Sequence, residues 1–522
     1  MAGTYRRLAD LLLSQGRVLE AQQVLELLKI QELRDYTRNT RAGGTTSGID
    51  FDATERKILQ AYNTLIDFGQ KIRDCQSRKV PCTDTELTQL VQLRTEQTQA
   101  IQQILKTLEA ELAKRTEQDK NALDPKNDLS RKAQELIAAQ PDTVLIYSLV
   151  TDDRLWVVLA SEADVLRKFE VKVSQKQLTN AVLKFRQLMK ACESRTCGST
   201  DVKPVQKVSQ QLYNWLLPPE LRQELQGKGS RQRPIRNLVF APDRVTRYIP
   251  SAALFDGKNY LIENYAVSTI VSAKLTDTRD RLPTNPQEVS VLALGLSNPV
   301  PPEYGALPHV PVELDEIVKQ TGGDPNGTFS GLKRLNQEFD WLTLQKNLYG
   351  HKILHLATHG KFVPGSFEAS YLLLGTGKPL PIPQIEQLSD LVGVHLVVLS
   401  ACETALGGKR EQDGLEIAGI SNSFLERGAK SVLASLWQVS DASTSRLMQR
   451  FYQNLATGKM TKAEALRQAQ QWFIADKTQA STATNPRSSV QFKPGQNQAT
   501  TLLSDRSHPY YWAPFILIGN GL

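Results

Sequence analysis

The chain has 522 residues, of which 40% are apolar and 23% charged, and its formal net charge is +8. This length can hold two or three domains, each with its own core, and the composition is ordinary for a globular protein. The Lys and Arg residues form no long run, which argues against a nucleic-acid-binding stripe, and every apolar stretch is far shorter than the ~20 residues of a membrane-spanning helix.

The first predicted element is a pair of helices within residues 4–33. Apolar residues recur at helical spacing on both sides of Gly16, with small alanines where the helices would cross. Residues 1–36 therefore resemble one tetratricopeptide unit, which cannot bury its own apolar face. We expect either the tail of a longer repeat array or a pair that docks on the next helices. Asp10 interrupts the only leader-like run, so we expect a helix of the mature protein and not a signal peptide.

Residues 37–50 are rich in Gly and Thr and are predicted to be a linker. Residues 51–140 carry long amphipathic patterns that predict a helical hairpin or a coiled-coil-like arm. The sequence leaves two roles open for this arm: it could pack on the rest of the chain, or it could be a surface that binds a partner. We expect a regulatory protein, if there is one, to bind the N-terminal helices.

The hydrophobic period changes near residue 142, where two β-rich runs flank the turn 152–154 and predict a hairpin. Short apolar strands then alternate with helices as far as Phe515–Ile518, which predicts an α/β sheet that is largely parallel in its later part. Residues 476–501 are rich in Ala, Ser, Thr, Asn and Gln and are predicted to be a surface loop.

The five cysteines are Cys75, Cys82, Cys192, Cys197 and Cys402. We expect free thiols in a reducing, cytoplasmic compartment, because no export signal is recognised. The alternative is an exported protein with local disulfides at 75–82 and 192–197. The six histidines are scattered and no Cys-x-x-Cys occurs, so no metal site or other cofactor is predicted.

Two predicted strands end in reactive side chains. Residues 352–360 end in His359-Gly360, and residues 395–402 end in Cys402. The carboxyl ends of neighbouring parallel strands open into one crevice, so imidazole and thiol are expected side by side. Cys402 is predicted to be the nucleophile and His359 its base, with the amides of Gly360 and Cys402 forming an oxyanion hole worth roughly 3 kcal/mol per donor. His355, inside its strand, is predicted to be structural.

The blocks His-Leu-Ala-Thr-His-Gly (355–360) and Val-Val-Leu-Ser-Ala-Cys-Glu-Thr-Ala (397–405) resemble the signature blocks of CHAT domains, and flanking blocks over 142–522 agree. CHAT domains are related to caspases, separases and gingipains and often follow tetratricopeptide repeats. The resemblance implies a caspase-like α/β fold, a twisted and largely parallel sheet flanked by helices, after an N-terminal all-α region. It implies a catalytically empty pseudo-repeat half at 141–290 and a catalytic half at 291–522, with His359 and Cys402 as the dyad.

Asp441 follows the strand beyond the nucleophile, where relatives such as separase place an acidic pocket residue. If Asp441 lines that pocket, the resemblance implies preference for Arg or Lys before the scissile bond, with Glu403 as a second substrate-binding residue. The alternative for Asp441 is helix N-capping. The loop 406–414 contains Lys409-Arg410, a candidate site of self-processing.

These observations predict a CHAT-type cysteine endopeptidase that acts on protein or peptide substrates and is gated by partner binding at the N-terminal helices. Two other functions remain open. The chain could be a non-catalytic signalling scaffold, or the same thiol could serve transpeptidation or amide hydrolysis. No nucleic acid and no membrane is expected as a partner.

Overall fold

The computed structural model describes residues 2–38, scattered positions between 71 and 99, and most of 128–522. In this last part it describes 128–162, 165–193, 196–228, 233–298, 304–319, 327–363, 366–385, 388, 391–400, 403–404, 414–475 and 506–522. Most of the predicted arm at 51–140, the loop 406–413, the insertion at 476–501 and Cys402 therefore lie outside the described residues. No described helix is long and apolar enough to cross a bilayer.

The chain divides into two compact units. One covers 42–128, and the other contains the N-terminal helices together with 129–522. The second unit carries the sheet. Its described helices are α1 (Ala2–Ser14), α2 (Val18–Arg38), α3 (Asp128–Ala138), α4 (Gln175–Lys190), α5 (Val202–Leu216), α6 (Pro219–Leu225), α7 (Leu261–Asn264), α8 (Val310–Ile317), α9 (Trp341–Asn347), α10 (Ile382–Ile385), α11 (Leu415–Leu425), α12 (Asp441–Leu455), α13 (Lys462–Ala475) and α14 (Pro509–Trp512).

The strands form two sheets. Their bounds are β1 (Thr143–Val150), β2 (Leu155–Ser161), β3 (Val165–Val171), β4 (Asn237–Ala241), β5 (Ala266–Thr269), β6 (Ser290–Gly295), β7 (Val318–Lys319), β8 (Phe329–Leu335), β9 (Ile353–Ala357), β10 (Gly360–Val363), β11 (Ser366–Leu373), β12 (Pro379–Pro381), β13 (Leu396–Leu399), β14 (Glu403–Thr404), β15 (Ser431–Ser435) and β16 (Phe515–Gly519). The larger, twelve-stranded sheet has the order β3-β2-β1-β4-β5-β16-β15-β13-β9-β6-β8-β7, and the smaller has the order β12-β11-β10-β14.

The pairing of the large sheet changes along its width. The first strands form an antiparallel meander, since β1 pairs with β2 and β2 with β3, as the turn at 152–154 predicts. From β15 through β13, β9, β6 and β8 to β7 every pair is parallel. Within this part of the sheet, β9, β13 and β15 are buried at every position, which is why they read as continuous apolar runs.

The N-terminal helices pack on the α/β unit and belong to it. The helix–turn–helix expected from the sequence is present, with Gly16 in the left-handed region between α1 and α2. Between Ala21 and Leu33, helix α2 has no exposed position. The pair therefore docks on the sheet region. The sequence predicted either the tail of a repeat array or docking on the next helices, and neither expectation includes this contact.

Buried polar contacts hold this docking. Glu26 of α2 accepts hydrogen bonds from Tyr147 Oη (2.7 Å) and Ser272 Oγ (2.6 Å). Lys29 Nζ donates to the carbonyl of Pro242 at 2.7 Å, and its burial lowers the pKa of this ammonium group to about 8. Each of these groups would be costly to bury alone, so the helices and the sheet region are mutually dependent.

One prediction about the cysteines is wrong. Cys192 and Cys197, which follow α4, form a disulfide beside the ring of His508. The prediction of free thiols failed for this pair because the proximity of two sulfurs in a six-residue segment depends on the backbone path, which composition does not give. Cys75 and Cys82 lie outside the described residues, so the second pairing of the exported alternative stays a hypothesis.

Candidate active site

The predicted dyad belongs to two adjacent parallel strands. In the pairing of β9 with β13, Ile353 faces Leu396 and Leu356 faces Leu399, so that partners stand 43 positions apart in the sequence. His359 and Cys402 are separated by the same 43 positions. His359 comes two residues after the end of β9, and Cys402 is three residues beyond the end of β13.

The same two chain segments pair again just beyond these positions. Strand β10 runs parallel to β14, with Lys361 facing Glu403 and Phe362 facing Thr404. The segments that carry His359 and Cys402 are thus hydrogen-bonded to each other both before and after the two residues. The backbone in this region is further fixed by Leu373, whose N–H donates to the carbonyl of His359 at 2.8 Å.

The ring of the half-buried His359 is oriented by a loop from the preceding crossover. Its Nε2 lies 3.0 Å from the carbonyl oxygen of Gly305. A carbonyl can only accept, so the neutral imidazole carries its hydrogen on Nε2, and Nδ1 is the nitrogen able to take up a proton. The Tyr304 ring packs 5.8 Å from the imidazole, and the hydroxyls of Tyr304 and Tyr371 are 2.7 Å apart. This geometry suits a general base.

Asp441 lies at the same edge of the sheet, as the first residue of α12 after β15. Ser440 is the N-cap residue of this helix and makes no side-chain capping bond, whereas Asp441 Oδ2 accepts from the backbone N–H of His309 at 2.6 Å. Burial raises the pKa of the Asp441 carboxyl to about 7; the bond from His309 opposes the shift and the charge of Glu313 adds to it. A half-buried carboxyl of this kind is typical of functional sites.

One short segment joins the two groups. The loop 304–309 gives its Gly305 carbonyl to the ring of His359 and its His309 amide to the carboxylate of Asp441. His359, which follows β9, and Asp441, which begins α12, are therefore both held by these six residues. Both contacts use backbone atoms of the loop, so residue types alone did not predict them.

A buried polar cluster lies behind this edge and was also missed. Glu313 of α8 accepts from Ser400 Oγ at 2.7 Å, and His355 Nε2 lies 2.9 Å from Glu313 Oε1. On the other side of the ring, His355 Nδ1 lies 3.1 Å from Tyr452 Oη. The sequence predicts a structural role for His355, and the groups beside its two ring nitrogens are the side chains of Tyr452 and Glu313. An acidic residue on the apolar face of α8, next to Val310, Leu314 and Ile317, is the sequence signal that could have identified Glu313.

The remaining predicted residues are placed by their backbone. Gly360 is the buried first residue of β10 and faces Leu372 of β11. Glu403 is the first residue of β14, and its side chain, like all of Cys402, lies outside the described part of the chain. The structure therefore brings together the described strand segments that flank the dyad, and the Cys402–His359 contact itself stays a prediction.

Comparison with known protein families decides the assignment. The CHAT domain model matches residues 206–520, well over half of the chain. The chain belongs to the CHAT domain family. The fold class predicted from the sequence is thereby confirmed, with its largely parallel sheet flanked by helices and its N-terminal helices in place.

Solved structures similar to this CHAT protein include two of the Saccharomyces cerevisiae separase–securin complex. They have TM-scores of 0.49 and 0.48 and sequence identities of 10% and 11%, and each match covers 99% of this chain. The chain spans 44% of the length of the matched separase chains. A complex of the pro- and mature domains of Porphyromonas gingivalis RgpB is also similar, with a TM-score of 0.35, 10% identity, and coverage of 66% of this chain and 76% of that one. No curated protein matches the sequence.

Proposed function

We propose that this CHAT protein is a cysteine endopeptidase in which Cys402 attacks the peptide carbonyl and His359 is the base. The observation that carries the proposal is the double pairing of the two chain segments, β9 with β13 before the dyad and β10 with β14 after it. Chains paired at both ends of a short interval cannot diverge far within it. A thiol at position 402 is therefore expected within reach of the imidazole at 359.

In the proposed reaction the Cys402 thiol gives its proton to His359 Nδ1, and the sulfur bonds to the carbonyl carbon. The resulting oxyanion is stabilised by the amides of Gly360 and Cys402. As the carbon–nitrogen bond breaks, the protonated imidazole returns the proton to the leaving amine. Water then attacks the thioester, with the same imidazole as base, and restores the thiol. Gly305, by holding Nε2–H, keeps Nδ1 available in both halves of the cycle.

A thiol-reactive probe tests the proposal directly. We expect an iodoacetamide probe at low concentration to label Cys402 in preference to the other cysteines, because an adjacent imidazole raises the thiolate fraction. The labelling should fall at least about tenfold in His359→Ala. Labelling that is equal at every reduced cysteine, or unchanged in His359→Ala, would contradict the proposal and favour the scaffold function. A peptide product carrying an added amine in place of water would instead indicate transpeptidation.

The proposed substrate has Arg or Lys before the scissile bond, recognised by Asp441 and, near the dyad, by Glu403. Asp441 supports this because it is a half-buried carboxyl at the catalytic edge, connected to His359 through the loop 304–309. We also retain a regulatory protein partner as a proposal. It would have to bind outside the buried stretch Ala21–Leu33 of α2.

The pH dependence of specificity is a further prediction. Asp441 attracts a cationic side chain only when ionised, and the pKa of this carboxyl is raised to about 7, chiefly by burial. The ratio of kcat/KM for an Arg peptide to that for its Ala counterpart should therefore rise with pH, with a midpoint near the pKa of about 7, and level off roughly one unit above it. The ratio cancels the titration of thiol and imidazole, which both peptides share. In Asp441→Asn the ratio should be low and independent of pH; a wild-type ratio that is flat from pH 5 to 8 would remove Asp441 from the pocket.

A further inference from the structure

The bond between the loop 304–309 and the proposed base is weak by itself. Gly305 and Ala306 are exposed, so water competes with the Gly305 carbonyl for the ring N–H of His359. A hydrogen bond that only replaces a bond to water contributes little net free energy. Gly305 also has a φ of +71°, and a residue without a side chain has many alternative conformations. The place of this carbonyl therefore depends on the anchors on either side of Gly305.

The anchor that follows Gly305 is the apolar residue Leu307. Its side chain is buried, and its N–H donates to the carbonyl of Ser297 at 2.8 Å. Two residues later, His309 is the N-cap residue of α8. This end of the loop is thus fixed to the chain that follows β6 and to α8, whereas Gly305 lies two residues away from the nearest of these contacts.

The anchor that precedes Gly305 is a pair of tyrosines, Tyr304 and Tyr371. The Tyr304 ring packs 5.8 Å from the imidazole of His359. Its Oη lies 2.7 Å from Tyr371 Oη, and either hydroxyl can be the donor. Both tyrosines are half-buried, whereas the bond of Gly305 is exposed. The tyrosine contact is therefore the better sheltered of the two, and it lies one residue away from the carbonyl.

Tyr371 belongs to the part of the fold that carries the dyad. It lies in β11, which pairs with β10, and β10 pairs in turn with β14. Strand β10 begins directly after His359, and β14 begins directly after Cys402. The contacts therefore form a closed ring, from His359 through β10 and β11 to Tyr371, and then through Tyr304 and Gly305 back to the imidazole. Opening this ring at the tyrosine pair frees the loop without a change in the dyad itself.

We propose that Tyr371 is a positioning residue for His359. Through the hydroxyl bond to Tyr304 it holds the loop where the Gly305 carbonyl accepts from Nε2–H, so that Nδ1 stays available to the thiol of Cys402. The inference rests on the proposed function of this site and deepens it. Neither tyrosine takes part in making or breaking bonds. Removing one hydroxyl leaves both rings in place but gives the loop more freedom, so the imidazole is held for a smaller fraction of the time.

The tautomer of His359 tests the inference without any need for catalysis. Nitrogen NMR of the full chain with isotope-labelled histidine measures the ratio of the Nε2–H to the Nδ1–H form at a pH where the ring is neutral, and His359→Ala assigns the signals. The parent should show mainly Nε2–H. The ratio should fall about threefold in Tyr371→Phe and in Tyr304→Phe, because each loses the same hydrogen bond. The double variant should not differ from either single one.

Tyr349→Phe is the matched control, since it removes the hydroxyl of a tyrosine that is 97% exposed. It should leave the tautomer ratio unchanged. A merely structural role of Tyr371 would lower the melting temperature without changing the tautomer, and we expect all three Phe variants to melt close to the parent. The buried ring of His355 is an internal reference whose signals should not move.

Alkylation of Cys402 measures the consequence for the dyad. The rate constant for iodoacetamide should fall about twofold in Tyr371→Phe, since the imidazole is held for a smaller fraction of the time. Tyr304→Ala, which also removes the ring beside His359, should slow the reaction about fivefold. Tyr304→Phe restores that ring and should recover most of the loss.

The outcomes are distinct. A tautomer ratio that stays at the parent value in both Tyr371→Phe and Tyr304→Phe overturns the inference, as does a parent in which the Nδ1–H form dominates. The inference is also overturned if the ratio falls while alkylation of Cys402 keeps its parent rate and still depends on His359. A lowered ratio in a chain whose Cys402 is never selectively labelled supports the role of the tyrosine pair in holding the ring, and only the endopeptidase proposal then fails.

Discussion

Replacing Cys402 with alanine is expected to lower cleavage of an arginine-containing peptide by at least about a thousandfold, and His359→Ala should have a comparable effect. The thiol and the imidazole act as a unit, so the double variant should be little worse than either single one. Turnover is measured with a fluorogenic peptide, and natural cleavage sites by mapping new protein N-termini after exposure to active protein and to Cys402→Ala.

The controls for this experiment are residues of the same type elsewhere in the chain. Cys82→Ala removes a different cysteine. His351→Ala removes a half-buried histidine that lies just before β9 and is not a member of the proposed dyad. Both should retain most of the activity. Activity that survives in Cys402→Ala would show that another nucleophile is at work, and the endopeptidase proposal in its present form would be wrong.

The second large effect is expected for Arg6→Ala, which should lower the free energy of unfolding by about 3–5 kcal/mol. Arg6 of α1 donates to the carboxylates of Asp243 and Glu32 and to the carbonyl of Val150, all of them buried. Its removal leaves two buried carboxylates with an incomplete set of cations. Urea unfolding is the measurement, followed through the total fluorescence of the six tryptophans, which include the buried Trp156 of β2.

Arg17→Ala is the matched control for Arg6→Ala. Arg17, the residue just before α2, pairs at 2.9 Å with the half-exposed Glu20 three residues later. Exposed pairs of this kind contribute about 0–1 kcal/mol, so the control should unfold almost like the parent. Equal stability of Arg6→Ala and Arg17→Ala would contradict the docking of α1 and α2 as an integral part of the unit.

The pH dependence of the same contact follows from the Asp243 carboxyl. Its burial would raise the pKa, but Arg6, Lys29 and Arg247 together outweigh this and hold the pKa well below its usual range. A carboxyl with a depressed pKa contributes stability above its unfolded pKa of 3.8, and this contribution is lost as the pH falls toward the folded value. The difference in stability between the parent and Arg6→Ala should therefore shrink below about pH 4.

The parts of the site that sequence reasoning found are those encoded in short buried strands. Parallel strands buried on both faces read as apolar runs, and a polar residue just past such a run, as at His359, is visible without any structure. The pairing of β9 with β13 then follows from the fold class, since the neighbours of a parallel strand lie across a helical crossover.

The parts that were missed depend on contacts between distant residues. Helix α2 carries Gln22, Glu26 and Lys29 at buried positions, where a local pattern predicts solvent. Their partners, such as Tyr147 and Ser272, lie more than a hundred residues away, so periodicity gave the helix but not the surface it packs against. Gly305 acts through a carbonyl that every residue type possesses, and no sequence pattern distinguishes it.

The hydrogen bonding between β1 and β4 has a practical consequence for anyone expressing this protein in pieces. The family match begins at residue 206, yet β1, β2 and β3 precede it and continue the same sheet through β4. A fragment trimmed to the matched region would leave the backbone of β4 as a bare edge, open to pairing with other chains and thus to aggregation. The boundary of the family match and the boundary of a foldable piece are different places in this molecule.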